Sequence, residues 1–233
     1  MSKKKDIFNP SKETIAGFMR KLQDNICREL KKADGTAGFT EDLWERDGGG
    51  GGRTRVMENG SVIEKGGVNY SAVHGTLHKV LQTELNISEA EFYATGVSIV
   101  MHPVSPMVPI IHMNVRYFEI ESGAWWFGGG IDLTPHYIDE GDARFFHQSL
   151  KDVCDKFNAN YYPRFKKWAD DYFYIKHRKE TRGIGGIFFD RLSEENGFTI
   201  KDRFEFVKAV GSAFLPIYTY LIGKNKDKSY GDK

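Results

Sequence analysis

A row of polar side chains stands where the middle of the chain otherwise reads as a strand. Counted from Ile110, alternate positions carry His112, Asn114 and Arg116, and alternate residues of a strand share one face. The positions between them are mostly apolar: Ile111, Met113, Val115 and Tyr117. Imidazole, amide and guanidinium groups in one row can move protons, donate hydrogen bonds and hold a carboxylate. The pattern therefore predicts a strand with one core face and one chemical face.

The segment 96–102 reads as a partner strand, joined to the first by a proline-bounded loop over 103–109. Ser98 and His102 share one face of this segment, and its other face is apolar. If even positions pair with even positions, Ser98 and His102 join the polar row. Such a face is either solvated, as in many antiparallel sheets, or the lining of a pocket. The absence of lysine and acid from the row favours the pocket.

Asp132 is the single acid in the segment 125–134, which contains two tryptophans and three consecutive glycines. A carboxylate in such apolar surroundings is costly without a partner. It can cap the following turn, pair with an arginine, or accept hydrogen bonds from the N–H groups of a ligand. These alternatives stay open from the sequence.

Phosphate-binding motifs and metal-binding motifs are weak or missing. The four scattered histidines, which are His102, His112, His147 and His177, could together bind a divalent metal, but no His-x-x-x-His or His-Glu-x-x-His spacing supports this. The run Arg182-Gly-Ile-Gly-Gly can bind an anion, yet it lacks the context of a dinucleotide fingerprint. The five glycines 48–52 lack the ending of a phosphate loop and are expected to turn or flex.

The elements that must position these residues follow a simple order. Helical periodicity over about 11–32 precedes a hairpin over 56–70, the hairpin described above, and a third strand over 125–133. Amphipathic helices follow, with a short strand over 183–190 and a last helix around 206–221. Consecutive strands framed by helices predict an α+β fold: a large, mainly antiparallel sheet covered by helices on its faces, in a single domain over 1–233.

Composition excludes several classes of function. With 33 basic and 32 acidic residues, the formal charge is +1, which gives no reason to expect nucleic acid as a partner. The two cysteines form no disulfide framework. No apolar run is long enough to predict an integral membrane segment, and no secretory signal is apparent. The expected location is the cytoplasm. Aromatic residues make up 14% of the chain, which suits a thick core or a pocket for a flat ligand.

Five segments together resemble the oxygen-dependent (aerobic) coproporphyrinogen III oxidases. They are GGGGGRTRV at 48–56, HMNVR at 112–116, WWFGGGIDLTP at 125–135, YPRFKKWADDYF at 162–173 and RGIGGIFFD at 182–190. The likeness extends from about Phe8 to about Tyr220. Enzymes of this family act in haem biosynthesis and convert coproporphyrinogen III to protoporphyrinogen IX, turning two propionates into vinyl groups with release of carbon dioxide and hydrogen peroxide.

The resemblance implies roles for individual residues. His112 matches the proton donor, Asp132 matches an acid that holds the pyrrole N–H groups, and Arg116 completes the catalytic set. The positions that match substrate contacts are Ser98, Asn114, Val115 and Arg116. The positions that match possible metal ligands are His102, His112, His147 and His177.

The family also implies molecular oxygen as co-substrate, no organic cofactor, an uncertain divalent metal and a homodimer. Its members continue beyond the point matched by Tyr220, so the chain is expected to lack their C-terminal strands. Two other functions remain open: a non-catalytic tetrapyrrole-binding protein, which includes an inactive truncated homologue, and a histidine-dependent metalloprotein.

Overall fold

The structure is a computed structural model that describes residues 9–87, 89–195 and 197–231. Its helices are α1 (Lys12–Asp34), α2 (Lys79–Leu85), α3 (Glu140–Asp155), α4 (Tyr161–Tyr172) and α5 (Ile200–Asn225). Its strands are β1 (Thr40–Glu45), β2 (Gly50–Glu58), β3 (Ile63–Thr76), β4 (Glu91–Pro103), β5 (Ile110–Ile120), β6 (Trp125–Thr134), β7 (Tyr174–Ile175), β8 (Glu180–Thr181) and β9 (Gly186–Leu192).

Seven strands form one antiparallel sheet in the order β1-β2-β3-β4-β5-β6-β9. The α+β class with a mainly antiparallel sheet is confirmed. The strands β1, β7 and β8 and the helix α2 have no counterpart in the sequence prediction. β7 and β8 pair with each other as a separate hairpin.

The expectation that the five glycines turn or flex is wrong for three of them. Gly50, Gly51 and Gly52 lie inside β2, where neighbouring strands leave no room for side chains. A Cβ on Gly50 would lie 2.3 Å from the Ala72 carbonyl oxygen, and one on Gly52 would lie 2.2 Å from the Trp44 indole. These glycines therefore serve close strand packing and seat an aromatic ring.

Most of the helix layer lies on the face of the sheet that carries Val115. α1 and α5 pack against β3 to β6, and α4 packs against β9. α1 begins at Ser11, whose side chain accepts from the Thr14 N–H, and ends at Gly35 in the left-handed conformation with φ 82°. The core between the layers is rich in aromatic rings, among them Phe127, Phe189 and Phe206, all fully buried.

α5 is long and apolar enough to cross a membrane by length and composition, with 56% of its apolar window buried inside the fold. Its buried side chains, which include Phe206, Val210 and Phe214, pack against the sheet and other helices. The central helix of a globular core has the same properties, and the packing of α5 accounts for its composition.

Asp34 ties the helix layer to the sheet. Its carboxylate accepts hydrogen bonds from the backbone N–H groups of Ala37, Val62 and Ile63 and from the hydroxyl of Thr36. Burial acts to raise the pKa of Asp34, but the combined hydrogen bonds outweigh it and hold the pKa below its ordinary value. The end of α1 is thereby bound to the turn between β2 and β3.

Candidate functional site on the open face of the sheet

The register of the central hairpin pairs even positions with even positions, as the pocket prediction assumed. Ser98 pairs with Asn114, and Gly96 pairs with Arg116. On the other side, His112 pairs with Asp132. Because directly opposed residues point to the same face, these polar side chains all lie on the face away from α1 and α5, which we call the open face. Ser98 and His102 are exposed there.

His112, Asp132 and Arg182 form an ionic cluster at one end of the open face. The carboxylate of Asp132 is almost completely buried, at 3% exposure. Its Oδ2 atom lies 3.2 Å from Nδ1 of His112 and accepts a hydrogen bond of 2.9 Å from Nη2 of Arg182. The His112 contact is close but is not aligned as a hydrogen bond. Of the alternatives open from sequence, the structure shows Asp132 paired with an arginine.

Arg182 reaches this cluster from the loop after β8. Its guanidinium lies 4.3 Å from the ring centroid of Phe173, which fixes its plane by a cation–π contact. Sequence reasoning noted Arg182 only as part of an anion-binding loop. Arg182 and Asp132 are fifty positions apart in the chain, and no local pattern indicates that they are in contact.

Arg116 forms a second cluster further along β5. Its Nη1 atom donates to Oδ1 of Asn114 at 2.7 Å, and its Nη2 atom lies 3.0 Å from Oδ1 of Asp190. Asp190 belongs to β9 at the other side of β6, and the two side chains meet over Gly128. Sequence reasoning missed Asp190 because nothing in the RGIGGIFFD segment indicates its partner.

A pocket of about 450 Å³ opens between Arg116 and the outer strands. Small residues of β3 and β4 form its floor: Ser71, Ala94, Gly96 and Ser98. Phe118 and Trp126 line one end, and Trp44 reaches it from β1. A flat floor with aromatic walls and few charged groups suits a flat, largely apolar ligand that carries carboxylates.

The aromatic wall is a stack that crosses three strands. Phe92 and Phe118 stack at 5.5 Å between ring centroids, and Phe118 and Trp126 stack at 4.4 Å. On the opposite side, the Trp44 indole donates from Nε1 to the Thr54 hydroxyl at 3.2 Å. The rings are therefore held in place before any ligand arrives.

Val115 does not belong to the open face. Its side chain is fully buried in the helix-facing core, because it occupies an odd position of β5. Its side chain therefore does not reach the open face, and the implied substrate contact stays a prediction for its backbone.

The structure does not bring the four histidines together as one metal site. His147 lies on α3 in the helix layer, whereas His112 faces the open side. Burial lowers the pKa of His147, so we assign the ring as neutral. Nε2 then donates to the Ile184 carbonyl at 3.0 Å, and Nδ1 accepts from the Tyr162 hydroxyl at 3.1 Å. Both nitrogens are engaged within the fold.

His177 lies exposed in the turn between β7 and β8, and His102 lies exposed on β4. Across residues 9–87, 89–195 and 197–231, no group of three or more histidine, cysteine, aspartate or glutamate side chains could hold a metal ion. The predicted ligand set does not fit a metal, and we route no chemistry through one.

The chain matches a known protein family. The family model described as Coproporphyrinogen III oxidase matches residues 14–233, which include both clusters, the pocket and the aromatic stack. The family resemblance of the sequence is confirmed.

Proposed function

Because the chain belongs to the coproporphyrinogen III oxidase family, we propose that it converts coproporphyrinogen III to protoporphyrinogen IX with molecular oxygen as the oxidant. The observation that carries the proposal is the open face itself. One pocket contains Arg116 as its cation. Beside it on the same face, the buried Asp132 carboxylate contacts the His112 imidazole and the Arg182 guanidinium.

The spacing of the two clusters suits a macrocycle. Arg116 and His112 lie four residues apart on β5, which corresponds to about 13 Å along a strand. A tetrapyrrole lying on the small-residue floor can present a propionate to Arg116 while a second ring approaches His112 and Asp132. The aromatic stack then covers one apolar edge of the ring system.

Each of the two reacting propionates loses carbon dioxide and two electrons. The side chain R–CH₂–CH₂–COO⁻ reacts with O₂ and one proton to give R–CH=CH₂, CO₂ and H₂O₂, where the C–C bond to the carboxylate and one C–H bond break. Electron density from the pyrrole supports loss of the hydride equivalent to oxygen, so no organic cofactor is invoked. Asp132 stabilises the positive character of the pyrrole N–H group, and His112 supplies or accepts a proton nearby.

The pocket walls contribute orientation. Arg116 has a planar fork of donors that matches a carboxylate, and Ser98 and Asn114 offer neutral hydrogen bonds beside it. A substrate held in this way presents one propionate at a time to the reacting end of the face.

Oxygen uptake on addition of coproporphyrinogen III, with porphyrin fluorescence of the oxidised product, tests the proposal. The wild-type chain should consume oxygen and form the divinyl product. Asp132→Asn should lower turnover by about 100-fold or more, whereas Asp171→Asn, which removes an exposed carboxylate of α4 paired with Lys167, should not.

Binding of substrate without oxygen uptake by the wild type would reject the enzymatic proposal and favour a tetrapyrrole-binding protein. Near-normal turnover of Asp132→Asn would reject the role of that carboxylate.

We also propose a homodimer. The edge strand β1 is exposed along its length, with Leu43 70% exposed, and an open strand edge of this kind pairs readily with another chain. A molar mass of one chain by light scattering at micromolar concentration would contradict it.

A further inference from the structure

The pocket on the open face holds a carboxylate that the proposed reaction does not use. Asp190 lines the cavity together with Arg116, and no role in the reaction above falls to it. A negative charge in a pocket weakens the binding of a ligand that carries carboxylates, so Asp190 is expected to have another role there. The contacts of Asp190 indicate that role.

We propose that Asp190 is a positioning residue for Arg116. It holds the guanidinium over Gly128 and reduces the net positive charge that a substrate carboxylate meets. This inference rests on the proposed function for its substrate class, which is a macrocycle bearing propionates.

Two contacts fix the guanidinium of Arg116, and a glycine beneath it gives the necessary space. Nη1 donates to Asn114 at 2.7 Å, and Nη2 lies 3.0 Å from Oδ1 of Asp190. On the third side, a Cβ on Gly128 would lie 2.7 Å from Nε of Arg116 and 2.4 Å from Oδ1 of Asp190. Only glycine at 128 leaves room for the two side chains to meet above the strand.

Strand alternation places Asp190 on the open face. Gly129 pairs with Phe189, whose side chain is fully buried in the core, and the next residue of β9 points to the opposite face. Continued by one residue, this register sets Asp190 beside Gly128. The pairing becomes irregular only beyond this point, where Arg191 adopts a positive φ of 51°.

The Asp190–Arg116 pair is only partly shielded, with side-chain exposures of 33% and 37%. A substrate carboxylate can therefore approach Arg116 from the pocket without displacing Asp190. Oδ1 of Asp190 is buried and lacks an aligned hydrogen bond among the described residues. The pair thus orients Arg116 and limits how tightly it holds a propionate.

Asp190→Asn is the informative variant, because it keeps the shape of the side chain and an oxygen acceptor but removes the charge. The probe is coproporphyrin III, an oxidised tetracarboxylate that does not turn over, with binding followed by fluorescence. We expect Asp190→Asn to bind it about 3- to 10-fold more tightly than the wild type. The tetramethyl ester of the same porphyrin should bind both proteins equally.

Steady-state kinetics give the second measurement. Asp190→Asn should lower KM for coproporphyrinogen III, while Asp190→Ala, which frees the guanidinium, should lower kcat. Asp171→Asn is the matched control and should change neither constant. Thermal unfolding of both variants identifies any loss of folding.

Unchanged affinity of folded Asp190→Asn for the tetracarboxylate would overturn the inference, and so would equal tightening for the ester. These results differ from failure of the proposed function, because tetracarboxylate binding is measured without turnover.

Discussion

The two faces of β5 show how one strand serves two purposes. Its odd positions, among them Met113 and Val115, are buried in a core formed with α1 and α5. Its even positions, His112, Asn114 and Arg116, are half-buried and held by ion pairs and hydrogen bonds. Packing on the core face depends on the shape and volume of the side chains, whereas the chemistry of the open face depends on their charge and on the direction of their hydrogen bonds. Changes on the first should cost stability, and changes on the second should cost activity.

Truncation of a central core ring should have the largest effect. Phe206 of α5 is fully buried and contacts the rings of Tyr161, Phe165 and Phe189. Phe206→Ala should lower the free energy of unfolding by about 3–5 kcal/mol, because it leaves a cavity. Urea denaturation measures this. A similar loss for Phe118→Ala, on the open face, would contradict the comparison, since that ring is only half-buried.

Removal of the Asp34 charge tests how the helix layer is joined to the sheet. Asp34→Asn should lower the free energy of unfolding at pH 7 by about 2–3 kcal/mol, because the carboxylate accepts several backbone hydrogen bonds.

The pH dependence of that stability has a definite sign. The folded-state pKa of Asp34 lies below its ordinary value of 3.8. Its contribution is therefore complete above pH 4 and is lost as the pH falls towards the folded pKa. The free energy of unfolding, measured by urea denaturation at several pH values between 2 and 6, should change less with pH for Asp34→Asn than for the wild type. An equal dependence of the free energy of unfolding on pH in the two proteins would contradict this account.

Arg182 tests the open face without disturbing the core. Arg182→Met keeps an apolar side chain against Phe173 but removes the donor to Asp132. We expect kcat/KM to fall about 100-fold, with partial recovery in Arg182→Lys. The free energy of unfolding should fall by about 1–3 kcal/mol, because the change leaves the almost buried Asp132 carboxylate without its hydrogen-bond donor. A large loss of stability with unchanged activity would show that Arg182 has a structural role and not a catalytic one.

The smallest expected effect is the reactivity of the two cysteines, which measures how well the helix-facing core excludes solvent. Burial raises the pKa of Cys27 to about 11 and that of Cys154 to about 12. Neither thiol should react with a thiol reagent at pH 8 in the folded protein, because the thiolate is the reactive form. Both should react in 8 M urea. Rapid labelling of the native protein would show that the core face is less closed than described.

Local patterns predicted much of the fold. The alternation over 110–120 indicated β5 and its two faces. The predicted hairpin over 56–70 indicated the β2–β3 connection, where Asn59 has a positive φ of 57°. The glycine run misled because composition alone does not distinguish a flexible loop from a strand packed too closely for side chains. β1 escaped prediction because its residues are all exposed and show no apolar face.

The candidate site was likewise predicted from the sequence only in part. The even–even register confirmed the polar row, but the resemblance alone led to Val115, whose odd position already indicated the core. The four histidines named as possible metal ligands do not come together, because His147 belongs to a different layer from His112, and no spacing along the chain expresses that separation.

The sequence by itself determined which residues could meet within a hairpin, because side-chain alternation and turn geometry act over a few residues. Only the tertiary structure decided that Arg182 and Asp190 arrive beside Asp132 and Arg116. Those contacts depend on β9 pairing with β6. Interactions between strands distant in the chain are set by the packing of the whole sheet, and no local pattern contains them.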